Sequence, residues 1–130
     1  MAELLLVYLL IAAGGAIGGV ARLMISEAVG RRWGGGFPLG TMVVNVTGAA
    51  LIGLLTGVVQ AAMPHLWTVL AVGVLGSFTT VSSFSLQTLM LMREGRVGAA
   101  AVNIAGSLAL CLIAVALGYG CGRLVAGGVA

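Results

Sequence analysis

Residues 33–92 read WGGGFPLGTMVVNVTGAALIGLLTGVVQAAMPHLWTVLAVGVLGSFTTVSSFSLQTLMLM, sixty positions from Trp33 to Met92 without one Asp, Glu, Lys or Arg. A bilayer core about 30 Å thick is crossed by about 20 helical residues, so this stretch has room for two spans and a turn. Pro64 and His65 mark the turn, and Trp67 the interface at which the next span starts. Before the stretch stand Arg31 and Arg32, which with Trp33, three glycines and Pro38 make a charged, helix-breaking loop. After it comes the polar loop Arg93-Glu94-Gly95-Arg96. The flanking apolar runs, from Leu4 through Ala21 and on past Arg22, and from Val97 to Gly122, supply two further spans.

The expectation is an all-α integral membrane protein with one four-helix transmembrane domain over residues 1–130 and spans at about 4–28, 39–63, 67–92 and 97–122. Composition agrees, with 61% hydrophobic and 7% charged residues. The short connections make consecutive helices antiparallel neighbours, so both termini are expected on one side of the membrane. The start, Met1-Ala2-Glu3, lacks the basic opening of a signal peptide, and the first span is expected to be retained.

Several function classes drop out. The net charge of +3 comes from six Arg and no Lys, scattered at helix ends with no cluster to track phosphates, so nucleic acid is not an expected partner. Cys111 and Cys121 fall on one predicted helix about 15 Å apart, beyond disulfide reach, and read as small apolar residues. The only histidine is His65, and no metal-ligand spacing or nucleophile–base pair occurs, so an enzyme is not expected.

Twenty-two glycines would weaken helices in water, but in lipid small residues four apart let backbones approach. Gly14 and Gly18, Gly15 and Gly19, Gly53 and Gly57, and Gly118 and Gly122 have that spacing. Four helices enclose little space, so this glycine density favours an oligomer. Residues 73–85 hold eight Gly, Ser or Thr in thirteen positions, which predicts a mid-membrane break in span three. Broken backbone at that depth must be buried in protein or line a cavity, and its freed carbonyls can bind a cation. The alternative is a continuous helix whose Ser and Thr hydroxyls bond back to their own turns.

Polar residues recur at helical spacing on three spans: Thr41 and Asn45; Thr80, Phe84 and Gln87; Asn103 and Ser107. Each could be helix–helix glue, yet together they form a donor-rich track without carboxylates, since Glu3, Glu27 and Glu94 lie near span ends. Asn, Ser and Thr donate hydrogen bonds and a phenyl edge is positive, so the chemistry suits a small anion. Arg22 reads chiefly as structural, snorkelling to the interface or capping carbonyls.

Over nearly its whole length the chain resembles the Fluc (CrcB) family of fluoride channels. The resemblance rests on Gly18-Gly19-Val20-Ala21-Arg22, Gly40-Thr41-Met42-Val43-Val44-Asn45, residues 73–85 and Gly106-Ser107-Leu108. It implies an antiparallel dual-topology dimer in the cell (inner) membrane, with two pores that pass fluoride passively out of the cytoplasm. It also implies a structural sodium ion at the dimer centre, held by backbone carbonyls at positions matching Gly76 and Thr79. Thr41, Asn45, Thr80, Val81, Phe84, Asn103 and Ser107 match the anion pore.

The chain departs from the family pattern in several places. Val81 replaces the first of two pore phenylalanines, Ser77 a glycine, Gln87 a glutamate, and Ala99 stands where an aromatic is frequent. Val81 offers no ring edge, which bears on conductance and selectivity. The two connections holding Arg31, Arg32, Arg93 and Arg96 face one side, against Arg123 alone on the other, a bias that a strictly dual-topology subunit should not show. The partner could therefore be a second copy or an inverted paralogue. Two other readings remain: an assembly subunit that has lost conduction, and a small multidrug-type transporter, which would need a carboxylate deep in span one where this chain has Leu and Gly.

Overall fold

The computed structural model describes residues 1–128 and is helical throughout. Helix α1 (Ala2–Trp33) has 32 residues, a rod of about 48 Å that outreaches the hydrocarbon core. Helix α2 (Leu39–Val58) begins after Pro38 and stops short of Met63. Pro64 does not turn the chain; it occupies the first turn of α3 (Pro64–Trp67), where a missing N–H and a fixed φ cost nothing. The third span continues through a π-helical stretch, Thr68–Leu75, and one turn of α4 (Gly76–Phe78). It resumes as α5 (Val81–Arg93), and α6 (Val97–Gly128) completes the bundle. Four helical segments are long and apolar enough to cross a membrane.

Between α4 and α5 the chain is extended, with φ/ψ of −77°/158° at Thr79 and −150°/125° at Thr80. The expected break in span three is therefore present and falls at these two residues. Hydroxyl back-bonding, the alternative, also occurs: Thr79 donates to the Leu75 carbonyl at the break itself, and Thr56, Thr68 and Thr88 do so within turns.

Glycine determines which helices meet. A Cβ on Gly18 would strike the Val74 carbonyl, and one on Gly73 would press on the Ile11 backbone, so α1 and the π-helical stretch touch main chain to main chain. The second such seam joins α2 and α6. Side chains at Gly53 and Gly57 would collide with the backbone at Val115 and Tyr119, and those at Gly118 and Gly122 with Ala50 and Leu54. This is the close packing that small residues permit in lipid. Gly19 takes no part in either seam, since nothing within the chain lies within 4 Å of its would-be Cβ.

The buried centre is small: Val44, Leu75 and Phe78, flanked by Ala21, Ile52 and Leu55 where spans one, two and three converge. Large apolar side chains such as Leu5, Leu9, Leu86, Leu108 and Leu112 face outward. Lipid accepts them, so the outside of the bundle is as apolar as its core.

Candidate functional site

The break organises the site. Asn45, one turn along α2 from Thr41, lies opposite it and pairs with both backbone polar groups of Thr80. Its Nδ2 donates to the Thr80 carbonyl at 2.8 Å, and the Thr80 N–H donates to its Oδ1 at 2.7 Å. The Thr80 hydroxyl then caps α5 by accepting from the Ser83 N–H at 3.2 Å.

These bonds have a consequence for the carbonyls. In an unbroken helix the Thr80 N–H would donate to Gly76 and the Ser83 N–H to Thr79. Here both donors are diverted, to Asn45 and to the Thr80 hydroxyl. Gly76 and Thr79 thus keep carbonyl oxygens with no backbone donor among the described residues, and both residues line an open cavity of about 370 Å³. Asn45, Thr80, Val81 and Cys111 line it as well. Val81 projects outward with 77% of its surface exposed.

A second cavity, of about 210 Å³, sits at the end of the bundle that carries the two arginine-bearing connections. Thr41, Gln87, Gly40 and the 34–38 loop line it, with Glu94 and Arg96 at its mouth. The Gln87 Oε1 is buried and has no hydrogen-bond partner among the described residues.

Asn103 is 1% exposed, and its Nδ2 donates to the Thr88 hydroxyl at 2.9 Å. Thr88 in turn donates to the Phe84 carbonyl at 2.7 Å. Two of the expected residues, Asn103 and Phe84, are thereby linked through one that the sequence reading passed over. The signal was available, since Phe84, Gln87 and Thr88 follow i, i+3, i+4 spacing on one face of α5.

The expected residues therefore fall into three groups. Asn45, Thr80 and Val81 border the break cavity with Gly76 and Thr79, Thr41 borders the end cavity, and Phe84 and Asn103 join through Thr88. Ser107 is buried on α6 one turn beyond Asn103 and makes no hydrogen bond among the described residues. Arg22 corrects the capping expectation: its Nε is buried without a hydrogen-bond partner, and no described carboxylate pairs with it. No group of three or more His, Cys, Asp or Glu that could hold a metal occurs among the described residues. A cation here would have carbonyl oxygen as its ligand.

Comparison with known proteins identifies the family. A family model described as CrcB-like protein, Camphor Resistance (CrcB), matches residues 9–119. The Fluoride-specific ion channel FluC of Opitutus terrae is 48% identical over 120 residues, covering 86% of this chain and 89% of the relative. Fluoride-specific ion channel FluC 2 of Bradyrhizobium diazoefficiens is 49% identical over 114 residues, covering 84% and 83%. Its namesake from Rhodopseudomonas palustris is 44% identical over 131 residues, covering 97% and 100%. With the family model spanning all four membrane helices and relatives this similar along nearly their full length, the chain belongs to the CrcB family of multi-pass membrane proteins.

Proposed function

We propose that this chain is a subunit of a passive, fluoride-selective anion channel that lets fluoride leave the cytoplasm, and that it works as an antiparallel dimer with two pores. It is a channel and not an enzyme. The observation that carries the reading is the set of donor-bearing side chains held beside a broken helix, with the one neighbouring carboxylate, Glu94, at the end of the bundle, in a chain whose relatives bear the name fluoride-specific ion channel. A small anion gives up water only where N–H and O–H donors replace it. Thr41 and Ser107 hydroxyls, the Asn45 and Asn103 amides and the positive edge of Phe84 are the groups that would do so.

The dimer follows from the solvent. Two carbonyls without a backbone donor in an open cavity cannot face hydrocarbon, where each unsatisfied group costs several kcal/mol. A second copy laid over Gly76, Thr79, Thr80 and Val81 would cover them and exclude lipid. The same carbonyls fit a structural sodium ion: oxygen suits a hard cation, and Gly76 and Thr79 are freed by the very bonds that make the break. Two carbonyls per chain are too few for a cation alone, so the ion would sit between copies, supplying positive charge that ties the two breaks together.

The exposed Val81 and the arginine bias favour one variation, in which the partner is an inverted paralogue that supplies a pore ring. Fluoride efflux from liposomes holding this chain alone, with chloride as control, tests both. Fast efflux selective for fluoride supports the homodimer. Silence alone but conduction beside an inverted relative supports the heterodimer, and equal passage of chloride overturns the fluoride reading.

A further inference from the structure

The geometry points to Thr88 as a positioning residue for the anion path: it fixes which edge of the Asn103 carboxamide is presented along α6. The inference rests on the channel reading for its effect on flux, but the tether itself stands on geometry alone.

Thr88 has one hydroxyl proton, and that proton is committed to the Phe84 carbonyl one turn back at 2.7 Å. Its oxygen can then only accept, and the Asn103 Nδ2 donates to it at 2.9 Å. A carboxamide is nearly symmetrical in shape and opposite in charge at its two ends, so burial by packing does not select its orientation. At Asn103, 1% exposed, the selection comes from Thr88: an acceptor in that place holds the NH2 end against α5 and turns Oδ1 away. A reversed amide would either set Oδ1 against the hydroxyl oxygen or draw the Thr88 proton off the Phe84 carbonyl, so the present orientation is the one that keeps both bonds. The tether leaves the second Nδ2 hydrogen free and spans the α5–α6 contact, so Phe84 and Asn103 keep a fixed relation to each other.

Thr88→Val tests this, because valine matches threonine in shape and removes only the hydroxyl; Thr88→Ser keeps the hydroxyl and removes a methyl. The chain contains just two asparagines, Asn45 and Asn103, so 15Nδ2-asparagine labelling in proteoliposomes gives two side-chain amide signals. Asn103→Asp deletes one and so assigns both. The expected result is that Thr88→Val shifts the Asn103 signal, leaves the Asn45 signal in place and slows fluoride efflux about tenfold. Thr88→Ser should restore both readouts. If valine prevents accumulation of folded protein, Thr88→Ala serves as the second variant. An Asn103 signal unmoved in Thr88→Val overturns the tether. A moved signal with parental efflux overturns its role in the path, as does Thr88→Ser conducting as slowly as Thr88→Val. A parent chain that passes no fluoride either alone or beside an inverted relative, with the amide signals behaving as stated, refutes the channel reading and leaves the tether standing.

Discussion

Removing the Asn45 side chain should destabilise the fold through the break itself. In Asn45→Ala the Thr80 N–H and C=O lose both partners at once, and both belong to a buried residue in the middle of an apolar bundle. Leaving one such group unpaired costs about 1–3 kcal/mol, so the pair is worth about 2–6 kcal/mol unless the backbone rearranges. One rearrangement is open to it: Thr80 N–H can swing back to the Gly76 carbonyl and straighten the third span, which would remove the extended turn altogether. Either route is visible in a reversible unfolding titration with SDS in mixed micelles, followed by helicity, alongside fluoride efflux from liposomes. We expect a loss of at least about 2 kcal/mol together with loss of efflux. Asn45→Asp should fall between parent and Ala, because it keeps the acceptor for the Thr80 N–H and sets an oxygen against the Thr80 carbonyl. An Asn45→Ala protein that unfolds within about 0.5 kcal/mol of the parent would refute the clamp.

Gly118→Val should abolish folded protein in a detergent gel-filtration assay, because its Cβ would strike the Ala50 backbone and part the α2–α6 seam; Gly120→Ala, with open space around it, should leave yield unchanged. Val81→Phe should be tolerated and preserve or raise fluoride flux in liposomes, since the side chain is exposed on the isolated chain; lost expression would mean that the partner's surface has been rebuilt around valine, at about 1–3 kcal/mol of overpacking. A topology reporter fused after Ala130, which lies outside the described residues, should signal almost wholly from the outer side when the chain is expressed alone; equal signal from both sides would remove the arginine-based case for an obligatory inverted partner.

Where physical constraints were strong, the sequence was easy to read. The bilayer demands long apolar runs with charges at their ends, and so the four spans and the two arginine-bearing connections could be read directly. The break could be read because Gly, Ser and Thr crowd residues 73–85, but its place at Thr79 and Thr80 could not, since it depends on Asn45 reaching across from α2 to divert one donor. Trp67 shows the same limit. It marks an interface by composition, yet its indole also donates to Thr56 at 3.1 Å, a contact set by how α2 and α3 meet. Thr88 was missed because a threonine in a helix so often bonds only to its own turn. It does that here too, and the extra bond from Asn103 is a property of the α5–α6 contact that one strand of sequence does not contain.

Counting uncommitted protons separates the side chains that shape the site from those that can face an anion. On α5 and at the break, the hydroxyls of Thr79 and Thr88 give their protons to carbonyls, and Thr80 donates to the Ser83 hydroxyl at 3.2 Å. These groups offer an anion only lone pairs in the geometry seen here. Donors left over on α2 and α6 are the hydroxyls of Thr41 and Ser107, which have no partner among the described residues, and one remaining N–H each on Asn45 and Asn103; on α5 the hydroxyls of Ser83 and Ser85 and the Gln87 amide also keep theirs. Helices α2 and α6 are also one of the two pairs whose backbones glycine locks together. Under the proposed function the threonines of the third span, Thr79, Thr80 and Thr88, spend their hydroxyl protons on shape, while the amides of Asn45 and Asn103 keep one hydrogen each for the ion. A path built this way needs no charged residue at its centre. Its selectivity would come from donors that cannot turn to present oxygen, which is the quality that Thr80 confers on Asn45 and Thr88 on Asn103.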